Sequence, residues 1–365
     1  MSSTATVQTA PGGPSAAKKR RSSGGGGSLG RYILTRLLLI IPTVFILVTM
    51  VFVLMRTIGD PITAAVGDRL SAAQLQERIH QAGYDRPILV QYFEYIGQIF
   101  TGNFGTTISD GRPVIDVLTT YGPATLELVF YTLIVAFIVG IPFGMLAAYF
   151  RDKWPDAVLR VFAILCYATP VFFAGLLLKL IFSVWLKWLP VAGRASTGTE
   201  LDLQFLENPT GIYLVDAIRT GSASNVQDVL SHAVLPGIAL GLLTAGVFLR
   251  LVRTNVIGTL SANYIDSARS RGVNEFRLVR RHAYKPALIP IITVMGLQIA
   301  LLLGGAVLTE TTFEWKGLGF ILVNYLSARD FVAVQGIVAL LAVIVALTNF
   351  IVDVIAALID PRVRY

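Results

Sequence analysis

The sequence is short of charge, cysteine and histidine, and each shortage excludes a class of function. Only 14% of its 365 residues are charged, whereas a soluble chain keeps about a quarter charged to cover its surface. With 54% apolar residues, the balance is that of a membrane protein. The single cysteine, Cys166, leaves no disulfide framework and no metal quartet. The three histidines, His80, His232 and His282, are scattered, and no His-Glu-x-x-His occurs, which argues against a metal or hydrolase centre. There is no Gly-x-x-x-x-Gly-Lys-Ser/Thr and no Gly-Lys pair, so the chain does not cradle ATP phosphates by that route. No internal repeat of about 20 to 50 residues is present.

What the sequence has in quantity is uncharged length. A bilayer core of about 30 Å takes around 20 mostly apolar residues per helix, and such runs lie near 33–55, 126–149, 158–186, 233–252, 286–309 and 332–357. They predict an all-α polytopic membrane protein with six transmembrane helices, the first over 31–56. Pro42, Pro142 and Pro170 fall inside or near the ends of these runs. Neighbouring helices can satisfy the carbonyls they free, so they read as kinks.

Basic residues in short loops stay in the cytoplasm, and here they fall into one set of connections: Lys18 to Arg21, Arg31, Arg151, Lys153, the arginines of 250–281, Lys285, Arg362 and Arg364. Most acids fall into the other, among them Asp60, Asp85, Glu94, Asp110, Glu200, Asp216, Glu310, Glu314 and Asp330. Six spans alternate consistently if both termini are cytoplasmic. The net charge of +8 is then a topology signal and not a sign of nucleic-acid binding. Residues 1–30, with four glycines at 24–27 and no apolar run of signal-peptide length, read as a flexible cytoplasmic tail.

Two outer connections are too long to be turns. Over 57–124, Leu75 and Ile79, and then Leu89, Phe93, Ile96 and Phe100, recur at helical spacing, which predicts short amphipathic helices. They suit a place on headgroups or neighbouring helices. The stretch 188–230 is polar, without a sustained period. The core of the chain would be 125–365, with a cytoplasmic loop at 261–284 and an external segment at 310–330.

The cytoplasmic loop has a pattern of its own. Residues 261–270 favour helix, with Tyr264, Ile265 and Ala268 on one side; Gly272 breaks it; Asn274 can cap a second helix carrying Phe276, Val279 and Ala283. Asp266 and Arg269, three apart, can pair on the surface. Physically the segment suits either an interfacial helix with snorkelling arginines or a docking element whose small residue and glycine corner admit another protein.

Asp266-Ser267-Ala268 followed by Gly272 resembles the EAA motif of bacterial ABC importer permeases: Glu-Ala-Ala, three residues, then Gly. The flanking "ARSRGVNEFRLVRRHAYKPALIP" is similar to the dipeptide and oligopeptide branch, and the likeness extends through "RYILTRLLLIIPTVFILVTMVFVLMRTIGDP" (31–61), "YATPVFFAGLLLKLIFSVWLKWLPVAGR" (167–194), "TETTFEWKGLGFILVNYLSARDF" (309–331) and "IDPRVRY" (359–365). Asp266 is one methylene shorter than the family's Glu and keeps its charge. Ala-Leu-Ile-Pro at 287–290 stands later than the general Ile-x-Leu-Pro ending.

The resemblance implies a type I ABC importer permease fold and a peptide permease of the bacterial cytoplasmic membrane working by alternating access. Its implied partners are a second homologous permease, two cytoplasmic ATPase subunits, separate or fused, an extracytoplasmic substrate-binding protein and membrane lipid, with no nucleic acid. It also implies that Asp266, Ser267, Ala268, Arg269, Gly272, Val273, Asn274, Phe276 and Arg277 couple to the ATPases. No cofactor is expected in this chain; ATP and Mg would sit in the ATPases. Lys179, Gln298, Glu310, Glu314 and Trp315 are candidates for the path or its gate, with snorkelling for Lys179 and packing for the external three as the alternatives. Haem, a nickel chelate and glutathione are alternative cargoes. An ion-coupled secondary transporter is the rival from another class, but the second, fourth and fifth spans carry no ionisable group between their ends. A membrane anchor without transport leaves the polar cytoplasmic loop unexplained.

Overall fold

A chain that crosses hydrocarbon must satisfy its own backbone groups, and this one does so with helix. The computed structural model describes residues 29–359 apart from 68–69, 285, 288–290, 292–293, 295, 297, 300 and 303–305. Most of the expected tail and the C-terminal "DPRVRY" therefore lie outside the described residues, as does part of the expected fifth span at 286–309. No strand occurs among the described residues; a lone antiparallel bridge joins Thr106 and Pro113.

Helix α1 (Leu29–Ile58) is the first crossing. Three short helices follow on the outer side, α2 (Pro61–Val66), α3 (Ala72–Gln81) and α4 (Ile88–Phe100). Their starts are written locally: Asp60 accepts from Ile62 N and Thr63 N to cap α2, and Ser71 and Gln74 form a reciprocal capping box on α3. The amphipathic pattern over 57–124 thus becomes helix, but the second crossing begins earlier than its apolar run. α5 covers Val114–Tyr149, and its 36 residues make it about 54 Å long at 1.5 Å per residue. That is longer than a hydrocarbon core of about 30 Å requires, so the helix begins within the segment 57–124 expected on the outer side.

The run at 158–186, expected as one span, is two segments. α6 (Trp154–Ala168) and the unit formed by α7 (Val171–Leu178) with a π-helical turn at Lys179–Trp185 are bent by 102°. The cause is Pro170, which has no N–H to donate and which disfavours helical geometry in the residue before it; Thr169 accordingly sits at φ −75°, ψ 124°. Beyond it, the stretch expected to be irregular contains α8 (Thr197–Gln204) and α9 (Tyr213–Arg219), gathered on a small core of Ala195, Leu203, Ala217 and Val229.

α10 (Ala223–Leu260) runs 38 residues, about 57 Å, and so extends beyond the expected 233–252 at both ends. It lies along α5 as the central pair of the fold. The contact is set by small residues: a Cβ at Gly140 would meet Phe248 Cβ at 2.8 Å, and one at Gly144 would meet the Leu249 carbonyl at 2.8 Å. Close approach of this kind drives helix association where lipid and side chain are equally apolar. After the cytoplasmic segment come α13 (Val307–Phe313), α14 (Leu318–Ser327) and α15 (Phe331–Ile359), the last packed beside α1. Asp353 of α15 pairs with Arg36 of α1 at 3.4 Å. Among the described residues four helices, together with the bent pair, are long and apolar enough to cross a membrane.

Candidate functional site

At the basic, cytoplasmic end the sequence between α10 and residue 284 folds as its pattern predicts. α11 (Asn263–Ser270) ends in the reversal at Gly272, and α12 (Glu275–Arg277) runs on into a π-helical turn, Leu278–Ala283. Asn274 caps α12 by accepting from Phe276 N at 2.8 Å. Gly272 holds φ +81°, with no atom within 4 Å of where a Cβ would stand. Glycine is required here by backbone conformation, and its surface is open.

The segment has two faces. Ile265, Leu278, Val279 and Ala283 are buried against Ala148 of α5 and Phe248, Val252 and Val256 of α10. Phe276 stands edge-on to Tyr149, ring centroids 5.8 Å apart. Asp266, Ser267, Arg269, Gly272, Asn274, Phe276 and Arg277 are exposed, with Ala268 and Val273 half-buried beside them. Arg269 bridges the corner: its Nε donates to Glu275 at 2.6 Å and its Nη1 to Asp266 at 2.7 Å. The Glu275 carboxylate, with Asp266 adding to it, holds the guanidinium above its ordinary value. Glu275 escaped the sequence reading because it lies six residues from Arg269; only the glycine reversal brings them together.

The remaining candidates do not form one site. Lys179, in the π-turn, donates to the Thr312 carbonyl at 2.7 Å and lies over the Phe313 ring. Glu310 and Trp315 are wholly buried, while Glu314 is exposed at a left-handed φ of 51°. Glu310 accepts from Thr125 Oγ1 at 2.7 Å and Phe320 N at 2.9 Å, so its carboxyl lies at the N-terminus of α14. A Cβ on Gly317 would run into it. Burial pushes this carboxyl up from its ordinary range, against the opposing pull of those hydrogen bonds. Trp315 Nε1 donates to the Ala124 carbonyl at 2.8 Å. Gln298 is half-buried in helix, on the segment described only in part.

Beside this cluster stands a pair that the sequence reading missed. Glu127 and Arg194 are both almost fully buried, 2.5 Å apart. The Glu127 carboxylate also accepts from Leu214 N at 2.8 Å and Tyr131 OH at 3.1 Å. Arg194 reaches the Gly211 carbonyl at 2.8 Å and stacks on Tyr213, 3.6 Å from the ring centroid. An acid at the edge of an apolar run, as in "ATLELVF", was the available signal. One turn of α5, from Ala124 to Leu128, thereby holds the 194–214 loop on one acid and the 310–320 segment through Thr125. Among the described residues no group of three or more His, Cys, Asp or Glu is placed to hold a metal ion.

The model of the family described as "Binding-protein-dependent transport system inner membrane component" matches residues 140–365. The model of its N-terminal part, "Binding-prot-dependent transport system membrane comp, N-term", matches residues 29–129. The Di/tripeptide transport system permease protein DppB of Pseudomonas aeruginosa (strain UCBPP-PA14) is 38% identical over 337 residues, 92% of this chain and 98% of that protein. The Probable D,D-dipeptide transport system permease protein DdpB of Escherichia coli (strain K12) is 40% identical over 308 residues, 84% of this chain and 88% of that protein. Among solved structures, the inward-facing MetNI methionine ABC transporter aligns with a TM-score of 0.48 at 16% identity, covering 66% of this chain and 96% of that one. Match length and identity together place the chain in the family of binding-protein-dependent transport system inner membrane components, as a multi-pass permease subunit of an ABC transporter in the bacterial inner membrane.

Proposed function

We propose that the chain carries di- and tripeptides inward and that the segment 264–281 is where partner ATPase subunits engage it. The observation that carries the coupling role is the division of that segment into two faces. Its apolar side is packed on the inner ends of α5 and α10, and its polar side, from Asp266 to Arg277, is exposed around a glycine corner. A push on the exposed face is thereby delivered to the two longest helices of the fold. ATP and Mg belong to the partner subunits, which supply the hydrolysis; this chain supplies none. The peptide cargo rests on the names of relatives that this chain matches over most of its length.

In this reading a second, related permease completes the path, and an extracytoplasmic binding protein delivers substrate to the outer face. Closure of the ATPases on ATP moves the two coupling segments as rigid bodies and turns an inward-open path outward. Lys179, Gln298 and the outer segment with Glu310, Glu314 and Trp315 belong to the part of the protein that this movement rearranges. The test is co-purification from the native membrane through a C-terminal tag, with Gly272→Leu alongside the wild type. ATPase subunits and a second permease come with the wild type, and the ATPases are lost from the variant. A chain that comes alone from both preparations overturns the reading.

A further inference from the structure

At the outer end of α1 lies a half-open cavity of about 280 Å³, lined by α1, the start of α2, the 82–84 turn, α4, the 104–108 loop and the start of α15. That is close to the lower end of small-molecule pockets, about 300 Å³. Its walls carry polar groups left without partners. Arg56 Nε, Gln91 Oε1 and Tyr95 OH are buried without a partner of good hydrogen-bond geometry among the described residues, with Tyr84 OH within reach of the Arg56 guanidinium and Gln335 within reach of Tyr95 OH. Gln91 lines the cavity and is 8% exposed; its amide nitrogen is committed to the Tyr84 and Arg86 carbonyls, and its oxygen is left unpaired. Buried polar groups are nearly always well paired, so three poorly satisfied ones around one space, with the Gln91 oxygen wholly unpaired, call for an occupant.

The charges say what kind. The Arg56 guanidinium is held over the Phe52 and Tyr84 rings, 5.1 and 4.4 Å from their centroids. Two acids stand near it, and both are engaged elsewhere. Asp60 keeps its charge within range of Arg56 but turns its oxygens to Ile62 N, Thr63 N and the Thr63 hydroxyl, and Glu94 at the cavity wall is paired with Arg86. The cavity thus offers a cation with no direct ion pair among the described residues, its charge offset only through space by Asp60, and an amide oxygen that only accepts. Its complement has an oxyanion for Arg56 and, a few bonds away, an N–H donor for Gln91 Oε1. The mouth stands at headgroup level, since Arg56 is in the last turn of α1 and Ile46, Met50, Val53 and Leu54 below it are exposed for lipid.

We propose that this outer cavity is a binding site for a small zwitterion with an oxyanion and a protonated amine, the chemistry shared by a phosphatidylethanolamine headgroup and a free amino acid. The site is separate from the cytoplasmic coupling segment, and its test reads binding and not uptake, so it stands or falls independently of the importer reading. The full-length chain, with whatever subunits accompany it, is reconstituted in two kinds of nanodisc. One contains phosphatidylethanolamine; the other contains phosphatidylcholine, whose quaternary amine has no N–H, and is titrated with glycine. Bound lipid is read by native mass spectrometry and glycine by calorimetry, for the wild type, Arg56→Gln and Tyr95→Phe.

Retention of about one phosphatidylethanolamine per chain, reduced at least tenfold in Arg56→Gln, supports the site with lipid as its source. Saturable glycine binding in the phosphatidylcholine discs, weakened at least tenfold by the same substitution, supports it with a soluble source. Tyr95→Phe, which removes one hydroxyl and keeps the ring packed, is expected to weaken whichever ligand binds severalfold, and it carries the test if Arg56→Gln fails to fold. Phosphatidylcholine retained as well as phosphatidylethanolamine, ligand binding unchanged in the variants, or no ligand in either disc overturns the proposal and leaves a water-filled cavity.

Discussion

The two ends of this molecule use charged residues in opposite ways. At the cytoplasmic end Asp266, Arg269 and Glu275 are exposed and paired with one another on the surface. At the outer end Glu127, Arg194 and Glu310 are buried, and hydrogen bonds from backbone and side chains close around them. An exposed pair is screened by water, contributes little to stability and keeps its groups available to a partner. A buried pair is tied to its site, because losing one member leaves an uncompensated charge away from water. The inner charges are therefore suited to a changing contact, and the outer ones to keeping two loops fixed on α5.

Substitutions separate these uses, and the largest effect is expected at the outer pair. Arg194→Met leaves Glu127 buried and alone, which is expected to destabilise by about 3–5 kcal/mol, read as a lower unfolding temperature of the purified protein. Adding Glu127→Leu removes the stranded charge and is expected to restore part of the loss. A double variant no more stable than Arg194→Met would mean that the pair is not what holds the 194–214 loop to α5.

Gly272→Leu is intermediate in stability and largest in function. A left-handed conformation costs a residue with a side chain about 1–2 kcal/mol, and nothing in this chain obstructs the added atoms. The protein is expected to stay folded in the membrane while uptake is lost. Wild-type uptake would remove the difference drawn here between the two ends.

Glu310 gives the comparison a pH dependence. Burial raises its native pKa above the unfolded value of about 4.3. Its contribution to stability is therefore complete below that value and is lost as pH rises through the native pKa, where the buried carboxyl must ionise. Unfolding temperatures measured across this window should fall with pH more steeply for the wild type than for Glu310→Gln. Equal slopes would place the carboxyl in contact with solvent. The smallest effect is expected for Asp266→Glu, within about 0.5 kcal/mol as for other surface changes, with coupling of ATPase activity to uptake retained. Asp266→Lys is expected to be equally stable but uncoupled, and unchanged coupling in it would count against docking at this face.

Much of the inner segment was legible because its determinants are local. A helix, a glycine corner and an asparagine cap are each specified within a few neighbouring residues; of the two expected stripes, Ile265 and then Val279 and Ala283 are buried, while Tyr264 and Phe276 stay exposed. The outer cluster was not legible in the same way. Glu127 and Arg194 are 67 residues apart, and Glu310 and Thr125 are 185 apart. No local period marks such partners. Glu310 and Trp315 were singled out as gate candidates through family likeness, while their burial against α5 depends on how separate segments pack. The α5–α10 seam does carry a local signal, the Gly-x-x-x-Gly stretches "GIPFG" at 140–144 and "GIALG" at 237–241, whose meaning became plain only with the close helix contact.

By itself the sequence determined the class of protein, the existence of the main apolar helices, which end is basic, and the shape of the cytoplasmic segment. All four follow from composition, hydrophobic length and near-neighbour geometry, which survive in any arrangement of the rest. Tertiary structure decided where α5 and α10 begin and end, how far the chain turns at Pro170, which acids are buried and which exposed, and that Arg56 lines an outer cavity without a direct ion pair among the described residues. Those outcomes depend on contacts between residues distant in the chain, and packing alone brings them together.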